Sequence, residues 1–462
     1  MTATALTETA ASAGTAATTP AAPAAATSVP PGPPLPMVAQ TVLWMLVPIP
    51  FGTWCRRRYG DMFTLRLPFN GNVVQVCHPD GVRAVFAAPP SEALAGKANH
   101  VLEPLLGRRS VLLLDGPEHL RQRRLMLPAF HGDRMQAYVP AIEEITAAEV
   151  DTWRPGEEIA LRTPMQSITL DVIIHAVFGA DAGPERDQLR AVLLQLLDLP
   201  LNNLGFLPWF RRDRGERSAW GRFLLRRRQV DETVYALIAS RRAELAGDHP
   251  RDRDDILSLL LRATDEQGRP MSDIEVRDEL MTLLVAGHET TATALAWFFE
   301  QATRRPEVIE RLTADLAAGS SAYLDACIKE TLRIRPVVPV VARLLTAPLT
   351  VMGHTLPAGV AVAPNIVLTQ ANETVWPDPG EFRPERFLGT RTDPNAWLPF
   401  GGGIRRCLGA SFATVEMRTV IPAVLRRVHL APVGDPERQV RRTVTLVPRR
   451  GARVRVAARH SG

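Results

Sequence analysis

A ten-residue segment late in the chain, Phe400 to Gly409, constrains the fold more than any other part of the sequence. It reads Phe-Gly-Gly-Gly-Ile-Arg-Arg-Cys-Leu-Gly and places Cys407 at the end of a glycine-rich loop. Residues 410–420, which follow directly, are compatible with a helix. The glycines allow the backbone to pass close to a flat, bulky group, and the start of a helix favours a thiolate over a thiol. The segment therefore predicts a cysteine thiolate that faces a flat ligand.

The same segment resembles the haem-binding signature of the cytochrome P450 family. All fixed positions of the pattern F-x-x-G-x-R-x-C-x-G are filled, with Cys407 at the cysteine. A thiolate is a suitable axial ligand for haem iron. The resemblance therefore implies non-covalent haem b (iron protoporphyrin IX) with Cys407 as its only protein ligand, O2 as co-substrate, and haem contacts from Phe400 and Gly401. Covalent c-type haem is excluded, because the four cysteines form no C-x-x-C-H motif.

A second motif lies inside a predicted long helix, which starts at the capping box Ser272–Glu275 and runs to about residue 304. Residues 286–291 read Ala-Gly-His-Glu-Thr-Thr, and both Gly and Thr weaken a helix interior. The motif resembles the oxygen-activation motif of the P450 family. The resemblance implies that Gly287 permits close approach to the haem, that Thr290 hydrogen-bonds dioxygen, and that Glu289 relays protons.

His288 lies at a variable position of this pattern and is interpreted as a wall or surface residue, not as a ligand. A third motif, Glu330-Thr331-Leu332-Arg333, places an acid and a base on one face of a helix. Together with Arg386 it resembles the buried Glu–Arg–Arg triad of the family, which implies a structural role for Glu330, Arg333 and Arg386. Cys327, one turn earlier, is predicted to lie in the core.

Haem carries two propionates that need cationic partners. His119 and Arg123 are four residues apart on a helix that Asp115-Gly116-Pro117 opens, so they project from the same face. Together with Arg343 and Arg405 they match positions that bind propionates in the family. Arginine suits this role because its planar guanidinium binds a carboxylate through two hydrogen bonds.

The predicted substrate pocket is apolar, which favours a lipophilic small molecule held by burial. By resemblance it draws on the loop from about residue 88 to 110, on residues 196–223 and on stretches near 337–341 and 443–446. The segment 204–212 is either a mobile lid or a weak membrane-surface contact. The candidate pocket residues are Leu283, Val337, Val338, Val340 and Val444.

The chain has 462 residues, a length that suggests about three domains. Residues 1–29 are rich in Ala, Thr, Ser and Pro and predict a disordered tail, whereas no linker is visible later. The prediction is therefore one domain over residues 30–462, mainly α with a minor β subdomain, with the haem between the long helix and the helix after the cysteine loop. Hairpins are predicted over residues 62–77 and 443–456.

The net charge of +5 comes from a set of 54 Lys and Arg in which only Lys97 and Lys329 are lysines. This imbalance reflects codon bias more than a surface for nucleic acid, and no nucleic-acid partner is expected. The apolar run 42–51 contains two prolines and is about half the length that spans a bilayer. We therefore expect a cytoplasmic monomer without a transmembrane anchor.

The resemblance implies a bacterial-type haem-thiolate monooxygenase that inserts one oxygen atom from O2 into its substrate. Electrons are expected from a ferredoxin or flavodoxin with its NAD(P)H-dependent reductase, docking near Arg121, Arg124 and Arg406. Two alternatives stay open. A peroxide-driven or rearranging haem-thiolate enzyme usually lacks the acid–alcohol pair that Glu289 and Thr290 form here. A non-catalytic haem sensor would need a partner domain or DNA-binding module, and the sequence shows neither.

Overall fold

The computed structural model describes residues 27–68, 71–130, 132, 134–179, 184–197, 211, 213–247 and 253–460. It is 55% helical with small sheets, which confirms the predicted fold class. The predicted tail (1–29) lies outside the described residues except for 27–29, and the predicted lid (204–212) lies outside them except for Arg211. Among the described helices, none is both long and apolar enough to cross a membrane.

The helices account for most of the described chain and include all those predicted by hydrophobic periodicity. They are α1 (Met37–Leu46), α2 (Pro48–Tyr59), α3 (Pro79–Ala87), α4 (Ala95–Ala98), α5 (Glu103–Leu106), α6 (Gly116–Met126), α7 (Arg134–Ala137), α8 (Val139–Val150), α9 (Arg162–Phe178), α10 (Pro184–Leu197), α11 (Ala219–Ala246), α12 (Ile256–Arg262), α13 (Asp273–Ala302), α14 (Pro306–Ala317), α15 (Ala322–Ile334), α16 (Ile366–Gln370) and α17 (Ala410–Leu425).

The strands form four small sheets. They are β1 (Met62–Leu67), β2 (Gly71–Val76), β3 (Ala93–Leu94), β4 (Glu158–Ala160), β5 (Arg343–Leu345), β6 (Leu349–Val351), β7 (His354–Leu356), β8 (Ala361–Pro364), β9 (Val428–Pro432), β10 (Gln439–Arg442), β11 (Thr445–Pro448) and β12 (Arg453–Arg459). The largest sheet has the order β1-β2-β8-β5-β3, and the second has the order β4-β12-β9. Strands β10 and β11 form one pair, and β6 and β7 form another.

Helix α13 runs through the main hydrophobic cluster and carries the motif at residues 286–291. The predicted capping box is present: the Ser272 side chain accepts from the Glu275 N–H, and the Glu275 carboxylate accepts from the Ser272 N–H. Residues 276–284 and 291–302 are buried, and α9 provides the most extensive contact along the helix. Because most of its length is buried, α13 lies in the interior of the domain, although it carries several charged residues.

The two predicted hairpins have different outcomes. Strands β1 and β2 pair antiparallel, from Met62 opposite Val76 to Leu67 opposite Gly71, as predicted. The hairpin over 443–456 is wrong: β11 pairs with β10, and β12 pairs with β4 and β9. Between them, Gly451 and Ala452 both have positive φ, and this turn sends the chain from one sheet into another.

The Glu330–Arg333 pair lies on α15 with both side chains fully buried. Arg333 donates to both carboxylate oxygens of Glu330, at 2.6 and 2.8 Å, and to the carbonyl oxygens of Gln370 and Pro379. The Arg386 Nε lies 3.4 Å from the Glu330 carboxylate. These bonds connect α15 to the segment that precedes the cysteine loop. Cys327 is fully buried in the main cluster, as expected.

We expect Arg333→Ala to destabilise the fold by about 3–5 kcal/mol, because it leaves the buried Glu330 carboxylate without its partner. Arg311→Ala is the matched control, since it breaks a half-exposed ion pair with Glu385 and should cost less than about 1 kcal/mol. Urea unfolding followed by circular dichroism measures both values. Equal midpoints for the two variants would contradict a structural role for the buried pair.

Candidate active site

The cysteine loop, residues 400–409, owes its shape to its backbone conformation as much as to its side chains. Gly401 and Gly403 have φ values of 64° and 63°, in a region that side chains rarely adopt. The loop closes where the Cys407 N–H donates to the Phe400 carbonyl oxygen at 2.9 Å. Helix α17 begins three residues later, at Ala410, so Cys407 lies at the predicted junction of loop and helix.

Two of the loop glycines are required by a protein neighbour. A Cβ on Gly402 would lie 2.4 Å from the Phe86 ring, and a Cβ on Gly403 would lie 2.6 Å from the Phe86 carbonyl oxygen. Their lack of a side chain lets the loop pack against α3. No atom lies within 4 Å of a Cβ built on Gly401, so a neighbouring protein group does not explain that glycine.

The Cys407 side chain is exposed, although surrounding protein raises the pKa of its thiol through burial. The Gly409 N–H and the charges of Arg123 and Arg406 oppose this effect. The Cys407 thiol thus keeps accessible surface although protein surrounds much of it. The N–H group next to the helix start lowers the pKa of Cys407, as the sequence suggested, but burial outweighs this effect. A coordinating metal ion deprotonates a thiol outright, so this site suits a metal ligand better than a free nucleophile.

Four basic side chains lie beside the loop: His119, Arg123, Arg343 and Arg405. Burial lowers the pKa of His119 to about 3, with further effects from the three arginines. Burial and the neighbouring Arg405 lower the pKa of Arg343 to about 10. The pKa of Arg405 also falls to about 10, mainly through burial. The structure therefore brings together all four residues that the sequence predicted as propionate partners.

This cluster has little negative charge to balance it. Among the described residues, its ion pairs are limited to that between Arg405 and Asp115, at 2.6 Å. Asp115 also accepts the N–H groups of Gly96 and Lys97. Buried positive charges are costly unless they are paired, so a dianionic ligand beside Cys407 would fit this surface. The residues present thus fit a haem with its two propionates.

The central part of α13 is the exception in a buried helix. Ala286 is exposed, and Val285, Gly287, Glu289 and Thr290 are partly exposed. The Thr290 hydroxyl donates to the Ala286 carbonyl oxygen at 2.6 Å, which occupies a backbone acceptor in this turn. This stretch therefore presents accessible surface, with a hydroxyl on it, inside the protein.

Glu289 is directed toward α9. Its carboxylate accepts two hydrogen bonds from Arg162, at 2.7 and 3.0 Å, and one from Gln166 at 2.6 Å. The Glu289 side chain is 22% exposed. Sequence reasoning missed Arg162 and Gln166, because no local pattern links residues more than 120 positions apart.

The two residues before Glu289, Gly287 and His288, both pack against α9. A Cβ on Gly287 would lie 3.2 Å from the Ile173 side chain, so this glycine permits close approach of α13 to α9. His288 is buried, and its Nδ1 lies 3.2 Å from the Thr169 hydroxyl on α9. His288 therefore belongs to the packed wall and not to the surface.

The candidate substrate residues divide into three groups. Leu283 and Val337 are buried at the margin of the main cluster, and Val338 is partly exposed. Val444 is 43% exposed, next to β11, whose Leu446 N–H donates to the Val337 carbonyl oxygen. Val340 was predicted to face the pocket, but it packs against the clusters beneath the largest sheet. A bridge to Asn365 directs this part of the chain toward the sheet.

The three arginines predicted to dock the redox partner differ in the ion pairs that they form within the protein. Arg121 bonds Asp265 and Glu275 at 2.7 and 2.9 Å, and Arg124 bonds Glu266 at 2.5 Å. Arg406 is exposed and makes no ion pair within the described part of the chain. Of the three, Arg406 alone keeps its charge available at the surface.

Comparison with known proteins agrees with this geometry. The family model "Cytochrome P450" matches residues 30–456. "Putative cytochrome P450 135B1" of Mycobacterium tuberculosis is 45% identical over 433 residues, which cover 91% of this chain and 89% of that protein. "Putative cytochrome P450 137" of the same species is 41% identical and covers 86% of this chain and 83% of its own length.

Solved structures show the same fold. The retinoic acid-bound cyanobacterial CYP120A1 superposes with a TM-score of 0.80 at 25% identity, covering 93% of this chain and 99% of that one. CYP175A1 from a Thermus strain has a TM-score of 0.69 at 29% identity, with 87% and 93% coverage. The chain therefore belongs to the cytochrome P450 family of haem-thiolate monooxygenases.

Proposed function

We propose that this protein binds haem b through Cys407 and inserts one oxygen atom from O2 into a lipophilic small molecule, by hydroxylation or epoxidation. We further propose that it works as a cytoplasmic monomer, one domain over residues 30–462, with electrons from a ferredoxin or flavodoxin and its NAD(P)H-dependent reductase. The observation that carries the proposal is the accessible Cys407 thiol beside four basic side chains, of which His119 and Arg343 are buried and Arg123 and Arg405 are partly buried. That surface matches a dianionic iron porphyrin.

The cofactor supplies the reductive activation of O2, a reaction for which protein side chains have no suitable redox chemistry. The chain supplies the binding site. Cys407 would supply the thiolate ligand and Phe400 and Gly401 the adjacent loop backbone, and His119, Arg123 and Arg343, which make no ion pair within the described structure, would bind the propionates. Arg405 is held by Asp115 and by the carbonyl oxygens of Val111 and Leu114, so its guanidinium is already oriented for a carboxylate.

Proton supply is the second task of the chain. The Thr290 hydroxyl is the polar group on the accessible stretch of α13, and the neighbouring Glu289 carboxylate reaches solvent on the α9 side. While Arg162 and Gln166 hold Glu289, its carboxylate is directed away from Thr290. Proton transfer to Thr290 therefore requires Glu289 to rotate or a water molecule to bridge the two groups.

The substrate class follows from the walls of the cleft. Leu283, Val337, Val338 and Val444 supply apolar surface, and such pockets bind mainly by burial. Retinoic acid, a lipophilic molecule, is bound in one of the structural relatives, which is consistent with this class.

Cys407→Ser should abolish the red-shifted absorbance of the ferrous carbonyl complex, because the position of this band depends on a thiolate ligand. Cys327→Ala is the control, since Cys327 lies in the hydrophobic core and its loss should leave the band in place. The measurement is a carbon monoxide difference spectrum of the haem-loaded proteins. A retained band in Cys407→Ser would disprove the ligand assignment.

Thr290→Ala should lower the yield of product per NAD(P)H and raise hydrogen peroxide, while haem content stays unchanged. Positioned proton transfer contributes about 10²- to 10⁴-fold, so the loss should be severe. Glu289→Gln should slow the same step with less peroxide. Thr293→Val is the matched control, because this hydroxyl is buried and has no hydrogen-bond partner within the described structure.

The readout for these variants is the ratio of product to peroxide at matched reductase concentration. If Thr290→Ala keeps the wild-type ratio, protons reach the reacting oxygen by another route, or the enzyme is peroxide-driven.

Turnover with NAD(P)H should require an added ferredoxin or flavodoxin and its reductase, and its rate should fall as salt rises. Charges at a docking surface are screened over about 8 Å at physiological ionic strength. Arg406→Ala should lower the electron-transfer rate more than Arg121→Ala, because Arg121 is already paired with Asp265 and Glu275. Efficient turnover by the purified chain alone would contradict the proposal.

A further inference from the structure

The loop 106–111 is fastened to the first half of α13 by a series of polar contacts. Arg277 donates to the Leu106 carbonyl oxygen at 3.2 Å, and the Asp278 carboxylate accepts the Arg109 N–H at 2.8 Å. Thr282 donates to the Ser110 hydroxyl at 2.7 Å. Each contact joins residues about 170 positions apart, so these bonds tie the loop to α13 in addition to the local hydrogen bonds within it.

The most unusual contact in this series is made by Glu279. Its Oε1 accepts the Val111 N–H at 2.8 Å, whereas its Oε2 has no hydrogen-bond partner within the described structure. The residue has no exposed surface. A buried carboxylate with one donor and no cation is strongly disfavoured, but a neutral carboxylic acid can occupy this position.

Among the described residues, no charged group around Glu279 offsets the cost of burying its carboxylate as an anion. On α13, Asp278 and Glu275 both add negative charge and, with burial as the largest effect, raise the pKa of Glu279 well above its usual range. Arg277 is directed to Asp231 on α11 and to Asp278. From the loop, Arg109 lies toward Glu118 on α6. No arginine of these elements pairs with Glu279 among the described contacts.

The position of Glu279 links this contact to the active site. Glu279, Leu283, Ala286 and Thr290 follow one another at spacings of four, three and four residues and so share one face of α13. Glu279 lies roughly 16 Å before Thr290 along the helix axis. Beyond Val111 the same loop reaches Arg405, which bonds its carbonyl oxygens beside Cys407. The loop therefore connects the face of α13 that carries Thr290 to the cysteine loop.

We propose that Glu279 is a positioning residue: as a neutral acid it latches loop 106–111 onto α13, and its ionisation releases the loop. The proposal rests on the proposed function only in treating this loop as a wall of the substrate cleft. When the latch opens, the Val111 N–H and the Glu279 carboxylate both gain water as a partner. Entry to the cleft then depends on pH through a residue that does not touch the reacting atoms.

The direction of the pH effect follows from proton linkage. Glu279 binds its proton more tightly in the latched state than in the open state, where its pKa returns to about 4.3. The latch is therefore fully stabilised below that value and weakens as pH rises toward the raised pKa. One proton is released on opening, so the open population rises up to tenfold per pH unit, roughly, within this window.

The test is hydrogen exchange by mass spectrometry on the haem-loaded protein from about pH 5 to about pH 8, with peptides that cover residues 106–114. Each measured exchange rate is divided by the intrinsic exchange rate of the amide at that pH. The ratio then reports only the opening of the loop. In the wild type, protection should fall with pH. In Glu279→Gln it should be independent of pH, because the amide keeps an oxygen for the Val111 N–H and does not ionise.

Two further variants separate the latch from general loosening. Glu279→Leu removes the acceptor for the Val111 N–H and should lower protection of this loop equally at every pH. Glu416→Gln is the matched control: Glu416 is a buried carboxyl on α17 whose pKa burial raises to about 8, and its replacement should leave the pH dependence of the loop unchanged.

The proposal is overturned if wild-type protection of residues 106–114 does not vary with pH, if Glu279→Gln keeps the wild-type dependence, or if Glu416→Gln removes it. None of these measurements uses turnover or the carbonyl spectrum. A failure of the latch is therefore distinguishable from a failure of the monooxygenase assignment, which the Cys407 variants address.

Discussion

The concentration of buried positive charge beside Cys407 is the constraint on which the site depends. Burial lowers the pKa values of His119, Arg123, Arg343 and Arg405, and neighbouring arginines lower them further. Asp115 opposes this effect at Arg343 and Arg405. Groups held in this way store unfavourable electrostatic energy that an anionic ligand can relieve. Because such a ligand binds the folded chain and not the unfolded chain, its binding free energy adds to stability. Cofactor binding and folding are thus coupled through the same four side chains.

The sequence predicted those parts of the fold that depend on neighbouring residues. The capping box, the β1–β2 hairpin and the long helices are local, so periodicity and turn chemistry were sufficient. The terminal hairpin failed because strand partners are chosen across the chain: β12 fits beside β4 and β9, and no pattern within residues 443–456 shows this. Residue-by-residue resemblance, in turn, selected four propionate candidates that the fold places near one another.

The detailed reasons for individual residues were less predictable. Ile173 lies against Gly287 and Phe86 lies against Gly402, and neither protein neighbour is visible in the sequence pattern. Glu289 is held by Arg162 and Gln166, partners that only the α9–α13 packing identifies. In both cases the motif marks the residue as important. The residue that contacts it lies far away in the sequence, and only the tertiary structure brings the two together.

The pairing of β12 with β4 has a consequence for how the chain folds during synthesis. The Arg453–Ala160 and Arg455–Glu158 pairs join positions nearly 300 residues apart, a separation that makes loop closure slow. While the ribosome makes the intervening helices, the edge of β4 has no strand beside it. Strand edges and apolar surfaces of this kind favour aggregation. This small sheet therefore cannot form before synthesis has reached residues 453–459.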